Sequence, residues 1–167
     1  MNTAHTCTQQ FELAQELVTI LSQRNQSLAT AESCTGGLIS AAITAIPGSS
    51  AVFRGGIVAY DSAIKQSLLQ VPSKMLEQHG PVSREVVREM AAGARRIFRS
   101  DWALAVTGIA GPGGGTESTP VGTVWMAIAG PEGIMSLENK FSGDRRQIQE
   151  AGVYTLLKAL YGVFTQK

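Results

Sequence analysis

The sequence predicts an α/β protein: a three-layer αβα sandwich around a mixed, mostly parallel sheet, with an antiparallel hairpin near the C-terminus. Apolar runs of strand length alternate with helical periodicity, clusters of Gly, Pro and Ser separate them, and one hairpin signal stands late in the chain. Strands joined through helices pair in parallel with right-handed crossovers, whereas a hairpin imposes an antiparallel pair.

Phe11, Ala14, Leu17, Val18 and Leu21 recur at three- and four-residue steps, which gives a first helix one apolar stripe and ends it near Arg24. Ser27 to Ala31 follows as a short buried strand. The run after Gly37 is helical until Pro47-Gly48-Ser49-Ser50 stops it. Gly55 to Tyr60 is a second strand. Asp61 then caps a short helix with Ile64, Leu68 and Leu69, setting Lys65 about one turn in.

Pro72-Ser73 opens another short helix, and Ser83 caps a longer one through Phe98, with Val86, Val87, Met90 and Ala94 facing inward. Trp102 to Thr107 is a third strand. The segment GIAGPGGGTESTP after it has no apolar spacing and reads as a loop, and loops this long inside a compact domain are usually functional. Val121 to Ala129 and Ile134 to Phe141 flank Gly130-Pro131-Glu132-Gly133 as a hairpin with a four-residue turn. Ser142 or Asp144 starts a last helix through Phe164.

At 167 residues, without repeat or linker, residues 1–167 are expected to form one domain. Apolar residues make up 44% and charged residues 16%, enough for a core and too little like charge to hold the chain open. A net charge of +1 with scattered Lys and Arg lacks the field of a duplex-binding surface, so the expected partner is a small molecule rather than nucleic acid. The polar start and the absence of any stretch of about 18 apolar residues imply no membrane span and a cytoplasmic location. Cys7 and Cys34 form no CxxC pair, and His5 and His79 are far apart in sequence, so no disulfide, metal or cofactor is implied.

Ligands of such folds bind beyond the carboxyl ends of the strands, where Ser33, Tyr60 and Thr107 all fall. The segment Thr30-Ala31-Glu32-Ser33-Cys34-Thr35-Gly36-Gly37 crosses from strand to helix, and the unpaired N–H groups of a helix start stabilise an anion or developing oxyanion. The plainer alternative is that Ser33 or Thr35 only caps the helix and Gly36-Gly37 only permits close packing. Cys34 is a rival nucleophile, because a thiol at a helix start can have a depressed pKa.

A desolvated Lys65 would favour its neutral amine, which can take the Ser33 proton. Ser62-Ala63-Ile64-Lys65 also matches an S-x-x-K pattern with Ser62 as nucleophile, although the companion motifs are missing. The loop from Gly108 fits no standard phosphate motif. Arg145, at the start of the last helix, could hold a phosphate, while Arg146 reads as a solvated charge.

TAESCTGG at 30–37, GGIVAY with Lys65 five residues on, VTGIAGPGGG at 106–115, PVGTV at 120–124 and SGDR at 142–145 together resemble the C-terminal domain of the CinA (competence/damage-inducible) proteins, which includes stand-alone PncC-type nicotinamide-nucleotide amidohydrolases. The resemblance runs from about the first helix to the last. It implies hydrolysis of nicotinamide mononucleotide to nicotinate mononucleotide and ammonia, without a cofactor. It places the catalytic serine, tyrosine and lysine on Ser33, Tyr60 and Lys65, and substrate contacts on Thr107 and Arg145; the reading of the strand-to-helix turn and of the glycine loop adds Cys34, Thr35, Gly36, Gly37 and Gly108 as expected backbone contacts to substrate.

Longer CinA proteins carry a further N-terminal domain linked to pyrophosphatase activity, and that activity is not expected of this chain. A homo-oligomer is expected on the general frequency of symmetric assemblies. The alternative from another class is a non-catalytic nucleotide-binding or regulatory module in competence or DNA-damage physiology.

Overall fold

The computed structural model describes residues 3–165, with side chains from residue 8 onward. Strands β1 (Leu28–Glu32), β2 (Phe53–Val58), β3 (Trp102–Gly108), β4 (Thr123–Gly130) and β5 (Gly133–Lys140) form one sheet in the order β2-β1-β3-β4-β5. β1 pairs in parallel with both β2 and β3, whereas β4 is antiparallel to β3 and β5 to β4. Four of the five strands therefore point the same way, and the expected mixed, mostly parallel αβα fold is the one observed.

Helices α1 (Thr3–Gln23), α2 (Leu38–Thr44), α3 (Ser62–Ser67), α4 (Ser73–His79), α5 (Arg84–Phe98) and α6 (Arg145–Thr165) connect and cover the strands. Alternation along each strand makes two unlike faces. Leu28, Leu104, Val106, Val124, Met126 and Ile128 point to one side, where α1, α2 and α6 bring Leu17, Leu21, Ile39, Ile43, Leu156 and Leu160. The other side is nearly all alanine: Ala31, Ala103, Ala105, Ala127 and Ala129 lie under Val86, Val87, Met90 and Ala94 of α5. Alanines leave so thin a layer that one amphipathic helix covers this face closely.

The caps fall where the sequence places them. Asp61 Oδ1 accepts from Ala63 N at 2.7 Å and Ser83 Oγ from Val86 N at 3.3 Å. Asp144 and Gln147 close the start of α6 reciprocally, Gln147 N to Asp144 Oδ1 at 2.9 Å and Asp144 N to Gln147 Oε1 at 2.8 Å.

Three details differ from the expectation. Phe11 is 48% exposed rather than part of the inward stripe, which begins at Ala14. The hairpin turn is two residues, because Gly130 and Gly133 still pair across it. The breaker after α2 is wound into a 3₁₀ turn over Ser49–Ala51. Cys7 and His5 lie outside the residues whose side chains are described.

Candidate active site

β1, β2 and β3 end side by side, since Glu32 pairs with Val58 on one side and Val106 on the other. The chain segments leaving these ends therefore meet. A cavity of about 260 Å³ opens there, walled by Ser33 and Cys34 after β1, Tyr60, Ser62 and Lys65 after β2, and residues from Thr107 to Gly114 after β3. Arg145 at the start of α6 closes the remaining side.

Ser33 Oγ and Lys65 Nζ lie 3.1 Å apart, and the amine also donates to Ala59 O at 3.1 Å. Both side chains are buried, Ser33 to 7% and Lys65 to 2% exposure. Burial pushes the Lys65 amine below the ordinary lysine range, against the opposing pull of Cys34 and Asp61. A lysine that sheds its proton more readily, fixed by a backbone carbonyl and touching a serine hydroxyl, can act as that hydroxyl's base. The S-x-x-K alternative fails on placement: Ser62 lines the same cavity, yet the Lys65 amine is directed to Ser33.

Cys34 also lines the cavity, but its thiol is pushed up to about 12 by burial, with a small further push from Glu32. The helix-start effect that would make it a thiolate is outweighed by desolvation, so Cys34 is a wall rather than an activated nucleophile. Its carbonyl accepts from Gln149 Nε2 at 2.7 Å, which ties the turn after β1 to α6.

Tyr60 stands at the mouth, 59% exposed, where its hydroxyl accepts a 2.7 Å hydrogen bond from Arg145 Nη2. Arg145 Nη1 donates to Gly111 O at 2.9 Å, so one guanidinium fastens the glycine loop to the tyrosine. Thr107 is buried, its hydroxyl donating to Pro81 O at 2.8 Å and thereby holding Pro81 and Val82 in the wall. Arg146 projects outward, with Nε 2.8 Å from Glu150 Oε1.

Thr35, Gly36 and Gly37 fall outside the cavity, contrary to the contacts expected of them. Their donors are committed to Glu32 and the local turn. Thr35 Oγ1 and Gly37 N donate to Glu32 Oε2 at 2.8 and 3.2 Å, and Gly36 N to Ser33 O at 3.0 Å. Ile39 N also reaches Glu32 Oε2 at 3.0 Å, while Ser40 N and Ser40 Oγ reach Oε1 at 2.8 and 2.7 Å.

The start of α2 is thus occupied by the protein's own carboxylate, and of the segment from Cys34 to Gly37 only Cys34 lines the cavity. Glu32 is the residue at this site whose role sequence reasoning passed over. The available signal for Glu32 was an acid ending a buried strand just before a helix start, where a charge survives burial only with several donors.

Among the described residues no group of three or more His, Cys, Asp or Glu side chains is placed to hold a metal ion, and no helix is long and apolar enough to cross a membrane.

Fold and site together define an α/β protein whose sheet presents a buried serine–lysine pair at the carboxyl ends of its parallel strands. The model of the CinA C-terminal domain matches residues 10–164, and the chain belongs to that family. It is 51% identical over 148 residues to a CinA-like protein of Parasynechococcus marenigrum, covering 89% of this chain and 35% of the relative. With a CinA-like protein of Synechococcus sp. it shares 59% over 134 residues, 80% of this chain and 32% of the relative. The chain thus spans about a third of the length of these curated relatives.

Among solved structures, the competence/damage inducible protein CihA from Agrobacterium tumefaciens superposes with a TM-score of 0.92 at 40% identity, covering 94% of this chain and 96% of that one. The competence damage-inducible protein A from Klebsiella pneumoniae superposes with a TM-score of 0.90 at 35% identity, covering 95% of this chain and 99% of that one.

Proposed function

We propose that the protein is an amidohydrolase of the pyridine nucleotide cycle, converting nicotinamide mononucleotide to nicotinate mononucleotide and ammonia. The observation that carries this is the 3.1 Å contact between Ser33 Oγ and a buried Lys65 Nζ at the floor of the cavity. The choice of nucleotide follows the resemblance to PncC-type amidohydrolases.

Neutral Lys65 takes the hydroxyl proton as Ser33 attacks the carboxamide carbon, and the N–H of Cys34, in the cavity wall, serves the oxyanion that forms. The tetrahedral adduct collapses to a seryl ester as the C–N bond breaks. Tyr60 passes the proton from Lys65 to the departing nitrogen, which leaves as ammonia. Water, deprotonated by the same amine, then attacks the ester and returns the proton to Ser33. Arg145, exposed at the mouth beside Tyr60, retains N–H groups that suit the substrate phosphate.

Incubation with nicotinamide mononucleotide, its riboside and free nicotinamide tests the proposal. Ammonia is expected from the nucleotide and far less from the others. Binding of the nucleotide without ammonia release would favour the regulatory module instead. Homo-oligomeric assembly in the cytoplasm belongs to the same proposal, and sedimentation velocity of the purified chain checks the assembly.

A further inference from the structure

We infer that Glu32 is the positioning residue of the nucleophile: its buried carboxylate gathers the start of α2 and so holds Ser33 against Lys65. The role rests on the hydrolase proposed above.

Glu32 is fully buried, and each carboxylate oxygen is saturated, Oε1 by two donors from Ser40 and Oε2 by donors from Thr35, Gly37 and Ile39. Three of these five are backbone N–H groups at the start of α2, which have no partner within the helix. The acid's own main chain is clamped as well. Glu32 O accepts from Ala59 N at 2.7 Å, and Ser33 N donates to Val106 O at 3.0 Å. One residue therefore ties β1 to the segment after β2 through its carbonyl, and to α2 through its side chain. Ser33 is the next residue along, pinned by its own N–H to the end of β3.

The network extends one step further. Because Ser40 Oγ donates to Glu32, Thr30 Oγ1 is the donor in its 2.7 Å contact with Ser40 Oγ. A Cβ at Gly56 would stand 2.2 Å from Thr30 Oγ1 and 2.5 Å from Ser40 Oγ, so β2 closes over this cluster only as glycine. Gly37, with φ of +100°, lets the chain turn back so that its N–H points at the carboxylate.

The group must be an acceptor on both oxygens. Glutamine places an NH₂ against at least two donors in either amide orientation, a conflict that a shift of the turn relieves most easily. Such a shift carries Ser33 with it, and a displacement of about 1 Å at a reacting group costs on the order of 100-fold in rate.

The test is Glu32→Gln in the full chain, followed by thermal unfolding, steady-state kinetics on nicotinamide mononucleotide, and a crystal structure. The folded variant is expected to lose at least about 100-fold in kcat while KM stays within about threefold, because most of the cavity wall, from Tyr60, Pro81, Val82 and the loop after β3 to Arg145, belongs to other segments. The crystal structure is expected to show Ser33 Oγ beyond hydrogen-bond reach of Lys65 Nζ. A folded variant with near-parental kcat, or one that keeps the Ser33–Lys65 contact, overturns the assignment.

If Glu32→Gln does not fold, Ser40→Ala decides, since it removes one donor and leaves the charge. It is expected to lower kcat about tenfold with KM unchanged, and unchanged kcat overturns the assignment. A parent protein that releases no ammonia defeats the hydrolase reading by itself, while the Ser33–Lys65 separation in the variant still decides the role of Glu32.

Discussion

The turn after β1 and the loop after β3 leave the same edge of the sheet and face one cavity, yet they are held in opposite ways. The first, from Glu32 to Ser40, converges on a buried carboxylate with five donors. The second, from Ile109 to Val121, is exposed from Pro112 through Ser118. It is tied by Ile109 N to Thr123 O, by Thr116 N to Thr119 O, and by Arg145 to Gly111 O. Ser33 is built into the end of the sheet, whereas the segment across the cavity from it is fastened at few points. Under the proposed mechanism, position is fixed where attack geometry matters, and few ties are made where the ligand would enter.

The sharpest way to break this comparison is at the fixed side. Ser33→Ala is expected to lower ammonia release by at least about 10⁴-fold, and Lys65→Ala by about 10²–10⁴-fold, with both variants folded by circular dichroism. A Ser33→Ala protein of parental activity would remove the nucleophile from the mechanism.

The pH dependence carries a sign. The proposed base works as the neutral amine, and burial lowers its pKa, so kcat should rise with pH through a value below the ordinary lysine value of 10.5. Linkage points the same way. Between that lowered value and 10.5 the unfolded chain holds a proton that the folded chain does not, so stability falls as pH drops through this window. Lys65→Met should lose both dependences, as measured by a pH–rate profile and by denaturant titrations at several pH values.

Smaller effects separate the two segments. Thr35→Val removes a buried donor to Glu32 and should cost about 1–3 kcal/mol in urea titration. Arg145→Ala frees Gly111 and Tyr60 and should raise KM about tenfold, with a smaller change in kcat. Thr116→Ala, in the exposed loop, should change stability by less than about 0.5 kcal/mol. Equal costs at Thr35 and Thr116 would erase the distinction drawn between the turn and the loop.

Much of this was legible in the residues. Asp61, Ser83 and Asp144 announced three helix starts, because a cap acts within two or three residues of itself. Ser33 and Lys65 could be set at strand ends from local pattern, but their 3.1 Å contact is tertiary, since the parallel pairing of β1 and β2 creates it. Thr35, Gly36 and Gly37 illustrate the opposite case. A helix start predicts free donors, and only the rotamer of Glu32 reveals that they are taken. Cys34 likewise looked activated by position alone, until burial raised its thiol to about 12. Phe11 kept the helical period of its neighbours but lies beyond the edge of what α1 packs against.

The most direct measurement is a rapid-quench reaction with nicotinamide mononucleotide, followed by mass spectrometry of the peptide containing Ser33. The expected result is a transient ester of the nicotinate nucleotide on Ser33, formed no more slowly than ammonia appears and absent in Ser33→Ala. Ammonia release at full rate without that adduct, undiminished in Ser33→Ala, would contradict it.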